Sequence, residues 1–137
     1  MFVTWHNPDS TLRGCIGTLE ANNSFIHGLT TYAKTAALDD PRFNPITPEE
    51  SLLVYPSITM LKPLRKINSY NDIILEKHGI LLKNGNNTAF FLPNVALEQH
   101  WDVITTLEQL SLKAGLKKNA WKDINTTFEV CTGYEIK

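Results

Sequence analysis

The sequence predicts an α+β domain built mainly of antiparallel sheet with helices packed on it. Three observations carry that prediction. Runs rich in β-formers come as adjacent pairs joined by turn-forming clusters, the pattern of hairpins. Segments with apolar residues at helical spacing fall between those pairs instead of alternating with single strands, which argues against a parallel sheet. The chain has 137 residues, 42% hydrophobic and 20% charged, enough for a real core in one domain, with room for two lobes.

Phe2 to Trp5 and Thr11 to Leu19 read as the first hairpin, joined by the turn cluster HNPDS. Ser24 is placed to cap a helix with Phe25, Ile26, Leu29, Tyr32, Ala33, Ala36 and Ala37 at helical spacing. It should end by DDPRF, because Pro41 disfavours helical geometry at Asp40. In TPEE, Thr47 is the cap of a short helical turn, Pro48 its first position and Glu50 the reciprocal partner of a capping box. SLLVYPSITML is expected to be a strand in which Pro56, lacking an N–H, marks an edge or a bulge. SYNDIILEKHG reads as a helix capped by Ser69 and stopped by a left-handed Gly79. GILLK and TAFFLP flank NGNN, an Asn-Gly hairpin signal. NVALEQHW and DVITTLEQLSLKAGL are two helical patterns, the second bounded by Asp102 and Gly115. TTFEVCTGYEI alternates as a terminal strand.

A formal net charge of −1 provides no global basic field, so nucleic-acid binding is the least favoured function; it would require Lys62, Arg65, Lys66, Lys117 and Lys118 to converge. No apolar run approaches the roughly 18 residues that cross a bilayer, and MFVTWHNP is unlike a secretory signal. No membrane association is expected. Cys15 and Cys131 lack metal-like spacing and read as reduced thiols of a cytoplasmic protein, or a nuclear one in a eukaryote. No HExxH, CxxC or phosphate-binding glycine loop occurs, so neither a metal nor a cofactor is expected.

The stretch with chemical interest is LRGCIG, Leu12 to Gly17. On a strand Arg13, Cys15 and Gly17 share one face, and Leu12, Gly14 and Ile16 the other. A guanidinium beside a thiol favours the thiolate and makes it a nucleophile, and Gly17 leaves room for a ligand or another backbone. The same residues fit a packed strand in which the glycines admit a helix and Arg13 pairs with a structural carboxylate. DDPRF sets Asp40 and Arg42 around a proline, either to satisfy backbone groups or to hold an arginine for an anion beside Cys15. His78, before Gly79, is the histidine best placed for proton transfer, with helix capping as its alternative role. His6, His27 and His100 read as solvated or packed.

FVTW, LRGCIGTLE, YAKTAALDDPRF, KHGILL, FLPNVALEQHWD, KAGL with Trp121, and FEV occur together and in this order. In that order they resemble the AMMECR domain family, named for the human chromosomal region linked to Alport syndrome, intellectual disability, midface hypoplasia and elliptocytosis. The resemblance covers essentially the whole chain, residues 1–137, as a single domain, and the intact LRGCIG string is its most specific element. It implies an α+β fold with a larger and a smaller lobe, and no established biochemical activity. It also implies a shared pathway with a Memo-like, dioxygenase-related protein and a radical SAM protein, and a regulatory or adaptor role. Carried onto this chain, it marks Leu12 to Gly17 as the candidate site, with Asp40, Arg42 and His78 as neighbours to test. Relatives carry a helix-containing segment ahead of FVTW, which this chain is expected to lack. Two functions follow: an accessory protein with a partner groove around LRGCIG, or an enzyme using Cys15 as nucleophile or redox centre with Arg13 and His78 assisting.

Overall fold

A computed structural model of the protein describes residues 1–20 and 24–137. It is an α+β fold with two antiparallel sheets. The elements are β1 (Phe2–His6), β2 (Leu12–Gly17), α1 (Phe25–Leu38), β3 (Tyr55–Leu61), β4 (Arg65–Ile67), β5 (Gly79–Asn84), β6 (Asn87–Phe91), α2 (Val95–Glu98), α3 (Val103–Lys113), β7 (Thr127–Cys131) and β8 (Gly133–Ile136). The chain divides into two compact units, Met1–Leu61 with Tyr134–Lys137, and Lys62–Gly133.

In the first unit the strand order is β2-β1-β3-β8. The predicted hairpin pairs Phe2 with Gly17 and Thr4 with Cys15. The Ser24 hydroxyl caps α1 by accepting the His27 N–H at 3.3 Å. The helix packs on β1 and β2 through small residues, with Gly28 and Ala36 buried. Phe25 and Ile26 are instead exposed (50% and 75%), so the apolar spacing overstated the buried face at its N-terminal turn. The Trp5 indole N–H donates to the Ala33 carbonyl at 2.9 Å and fixes the seat of the helix. Pro56 marks no bulge against β1. It lies opposite Trp5 in an unbroken register from Phe2↔Thr59 to His6↔Tyr55, in a strand with β8 on its other side. The irregularity falls between Trp5 and His6 where β1 meets β2.

The second unit has the strand order β4-β7-β5-β6. Its core joins Ile80, Leu82, Phe128 and Val130 of the sheet with Leu107 and Leu110 of α3 and with Trp121. The β5-β6 hairpin turns on Gly85 and Asn86, with Gly85 at φ +59°, a value that glycine adopts at little steric cost. Asp102 caps α3 by accepting the Thr105 N–H at 2.7 Å. Gly115, at φ +78°, ends it, with Leu116 donating to Ser111 and Gly115 to Leu112.

Three expectations fail between Ser69 and Ile136. Residues 69–78 form only a 3-10 turn, Tyr70–Asp72, and a hydrogen-bonded turn after it. Ile73 is buried in extended geometry (φ −76°, ψ 129°), and the two adjacent β-branched isoleucines weaken helix propensity there. Gly79 is no left-handed stop; it opens β5, where an added Cβ would sit 2.7 Å from the Phe90 ring and 3.0 Å from the Cys131 sulfur. The single terminal strand is two, β7 pairing with β4 and β5, and β8 closing the sheet of the first unit.

Candidate functional site

LRGCIG is an edge strand, because β2 ends the first unit's sheet. The Cys15 N–H donates to Asp40 Oδ2 at 2.9 Å, and the Cys15 carbonyl accepts from Arg42 Nη2 at 3.3 Å. Both outward backbone groups of Cys15 are thus met by the loop after α1. Asp40 is buried, its side chain 2% exposed, and accepts three further bonds from Arg42: the backbone N–H and Nε at 3.0 Å to Oδ1, and Nη2 at 2.7 Å to Oδ2. The Arg42 guanidinium beside it and the Cys15 N–H hold the Asp40 carboxyl down at a pKa of about 2, against the penalty of burial. Arg42 itself leaves 56% of its side chain exposed.

The other motif residues are also held within the fold. Arg13 makes a two-pronged pair with Glu50, Nε to Oε1 at 3.2 Å and Nη2 to Oε2 at 3.1 Å. Glu50 closes the capping box as well, accepting the Thr47 N–H at 2.9 Å while Thr47 Oγ1 accepts the Glu50 N–H at 3.2 Å. Phe43 lies between the two cations, its ring centroid 6.0 Å from Arg13 Cζ and 5.5 Å from Arg42 Cζ. Gly14 faces α1: a Cβ there would lie 2.1 Å from the Ala36 carbonyl oxygen. The space beside Gly17 is filled by backbone, since its Cβ would lie 2.3 Å from the Met1 carbonyl oxygen and 2.5 Å from Phe2 Cα.

Cys15 is half-buried, and its sulfur accepts a hydrogen bond from the buried Thr4 hydroxyl at 3.2 Å. Cys131, in the second unit, is a free thiol 3% exposed, which burial pushes toward its neutral form. Sequence reasoning missed Thr4, although hairpin register would have placed it opposite Cys15. It also missed the second role of Glu50 and the polar group in which His6 Nε2 lies 2.7 Å from Ser57 Oγ and 3.8 Å from Glu135 Oε1. A shallow depression along the solvent face of α1, including His27, Thr31 and Lys34, contains no LRGCIG residue.

His78 belongs to the second unit. It is 5% exposed, and its Nδ1 accepts the Ile74 N–H at 3.0 Å, which fixes a neutral ring with its proton on Nε2. Burial, and then the nearby charges of Arg65 and Lys77, lower its pKa below the ordinary 6.5. As pH falls through 6.5 the unfolded chain takes a proton that the native ring resists, so stability present above that pH is lost below it. His78→Asn offers a carbonyl oxygen for the same acceptor role without the titration. Urea melts should show native stability declining from pH 7 to 5 with this component missing in the variant.

Among the described residues, no group of three or more His, Cys, Asp or Glu side chains is arranged to hold a metal, and no helix is long and apolar enough to cross a membrane. The chain is 34% identical over 131 residues to a protein of Aquifex aeolicus, covering 92% of this chain and 67% of the relative. It is 36% identical over 138 residues to protein NEQ441 of Nanoarchaeum equitans, covering 96% and 77%. The crystal structure of an uncharacterised protein, PH0010 from Pyrococcus horikoshii, superposes with a TM-score of 0.90 at 29% identity, covering 98% of this chain and 70% of that one. The family model AMMECR1 matches residues 1–134, and with these relatives it establishes that the chain belongs to the AMMECR1 family.

Proposed function

We propose that this protein is a regulatory or adaptor component, a pathway accessory whose partner surface is built around the LRGCIG strand. The supporting observation is that the chemistry-bearing groups of the strand already serve the fold: Arg13 is bound to Glu50, and the Cys15 backbone to Asp40 and Arg42. Those bonds rigidly present what lies outside them, namely the half-exposed Arg42 and the turn after Glu50, with Leu52 86% and Leu53 65% exposed. Exposed apolar residues beside a fixed charge suit protein contact. Memo-like and radical SAM proteins are the partners to test, in a cytoplasm that keeps both thiols reduced. Calorimetric titration of each against the chain should detect binding that Leu52→Glu weakens at least ~10-fold, on the scale of losing an interface anchor, and that Cys15→Ser leaves intact. Absence of binding, or its loss in Cys15→Ser alone, would defeat the reading.

One observation favours an enzyme instead: the Thr4 hydroxyl is aimed at the sulfur of the half-buried Cys15. In that reading Cys15 is the nucleophile or redox centre of a site in which Arg42 holds a small anionic substrate. Iodoacetamide kinetics separate the two. The accessory reading expects Cys15 to alkylate with a midpoint near the free-thiol value of about 8.5, and the enzyme reading expects it well below that.

A further inference from the structure

The two edges of the first unit's sheet are built differently. At β2 the outward N–H and C=O of Cys15 are taken by Asp40 and Arg42. At β8 no strand pairs outside it among the described residues, and all four residues from Gly133 to Ile136 are exposed. An open edge offers a ladder of backbone donors and acceptors to another extended chain. The side chains of β8 add a pattern to that ladder. Glu135 points to the face of His6, 3.8 Å from Nε2, with its side chain 34% exposed. Tyr134 and Ile136 therefore project from the opposite face, where they are 57% and 48% exposed.

We propose that β8 docks an extended segment of another protein, which adds antiparallel to the sheet as a fifth strand. The segment carries a basic residue opposite Glu135 and apolar residues opposite Tyr134 and Ile136. Charge weighs against a second copy of the chain in the register that matches its apolar residues. In the antiparallel self-pairing that sets Tyr134 against Ile136, Glu135 faces the Glu135 of the other copy, and like charges directly opposite are unfavourable. A basic partner residue removes that conflict. This site lies apart from LRGCIG in the strand order, on the opposite edge of the sheet, and does not depend on the accessory reading.

The test is a titration of isotope-labelled protein with two blocked pentapeptides, Thr-Val-Lys-Val-Thr and Thr-Val-Glu-Val-Thr, followed by amide chemical shifts. Shifts should concentrate on residues 133–136, with the lysine peptide binding ~3- to 10-fold more tightly than the glutamate peptide, the range expected for one cross-strand charge pair reversed. Glu135→Lys should invert that preference. Equal affinities, no binding at millimolar peptide, shifts confined to β2, or a concentration-dependent dimer in sedimentation that Glu135→Lys abolishes would each overturn the proposal. If Glu135→Lys fails to fold by circular dichroism, the two peptides on the native chain still decide it. Shifts on β2 and the Leu52 turn with none on β8 would leave the accessory reading standing while this one fell.

Discussion

Asp40→Ala is expected to lower the stability of the fold by about 3 kcal/mol, the scale of losing a buried charge partner together with its hydrogen bonds. The substitution removes the acceptor for the Cys15 N–H and for three donors of Arg42. The half-exposed Arg42 can turn to water, but the Cys15 edge amide loses its partner. Thermal unfolding should show a midpoint lower by roughly 10 °C. Asp40→Asn should recover only part of that loss, because its amide nitrogen meets donors of Arg42. The same carboxylate sets an acid limb. Its pKa falls from 3.8 in the unfolded chain to about 2 in the fold, so it contributes about 2 kcal/mol above pH 4 that is lost as pH falls through about 2. Asp40→Asn should flatten that limb in denaturant titrations between pH 4 and pH 2. An unchanged limb would mean that Asp40 does not carry it.

Gly14→Ala is expected to cost at least about 3 kcal/mol, the upper end of overpacking, because the obstacle is backbone. The added methyl would lie 2.1 Å from the Ala36 carbonyl oxygen, and α1 must retreat from β1 and β2 to admit it. That retreat strains the Trp5 bond to Ala33 and moves the helix end from which Asp40 follows. Denaturant melts should therefore show Gly14→Ala and Asp40→Ala combining with less than additive cost, since both loosen the seating of one loop on β2. Full additivity would separate the helix seat from the Cys15 clamp.

What could be read from the sequence follows from the range of each interaction. Ser24, Asp102, Gly115, the Thr47–Glu50 box and the Asn-Gly hairpin act within a few residues, and the structure has each of them. The surroundings of Cys15 draw on contacts with no local signal: Asp40 is 25 residues away and Glu50 is 37 residues from Arg13. Composition offers Asp, Arg and Glu to such a site without saying which will meet. The lost helix at 69–78 has the same origin. Its spacing is helical, but tertiary burial of Ile73 and His78 and the bond from Ile74 to the His78 ring favour a turn.

The division of the last alternating run into β7 and β8, with Thr132 between them, has a kinetic consequence. The second unit draws its four strands from one continuous stretch, Arg65 to Cys131, whereas the first unit's sheet joins β3 to a strand that follows that whole stretch in sequence. Completing the first sheet therefore requires a long-range closure that the second does not. Until that closure β3 presents the side on which β8 will settle, and in that state the chain is open to mispairing or to a chaperone.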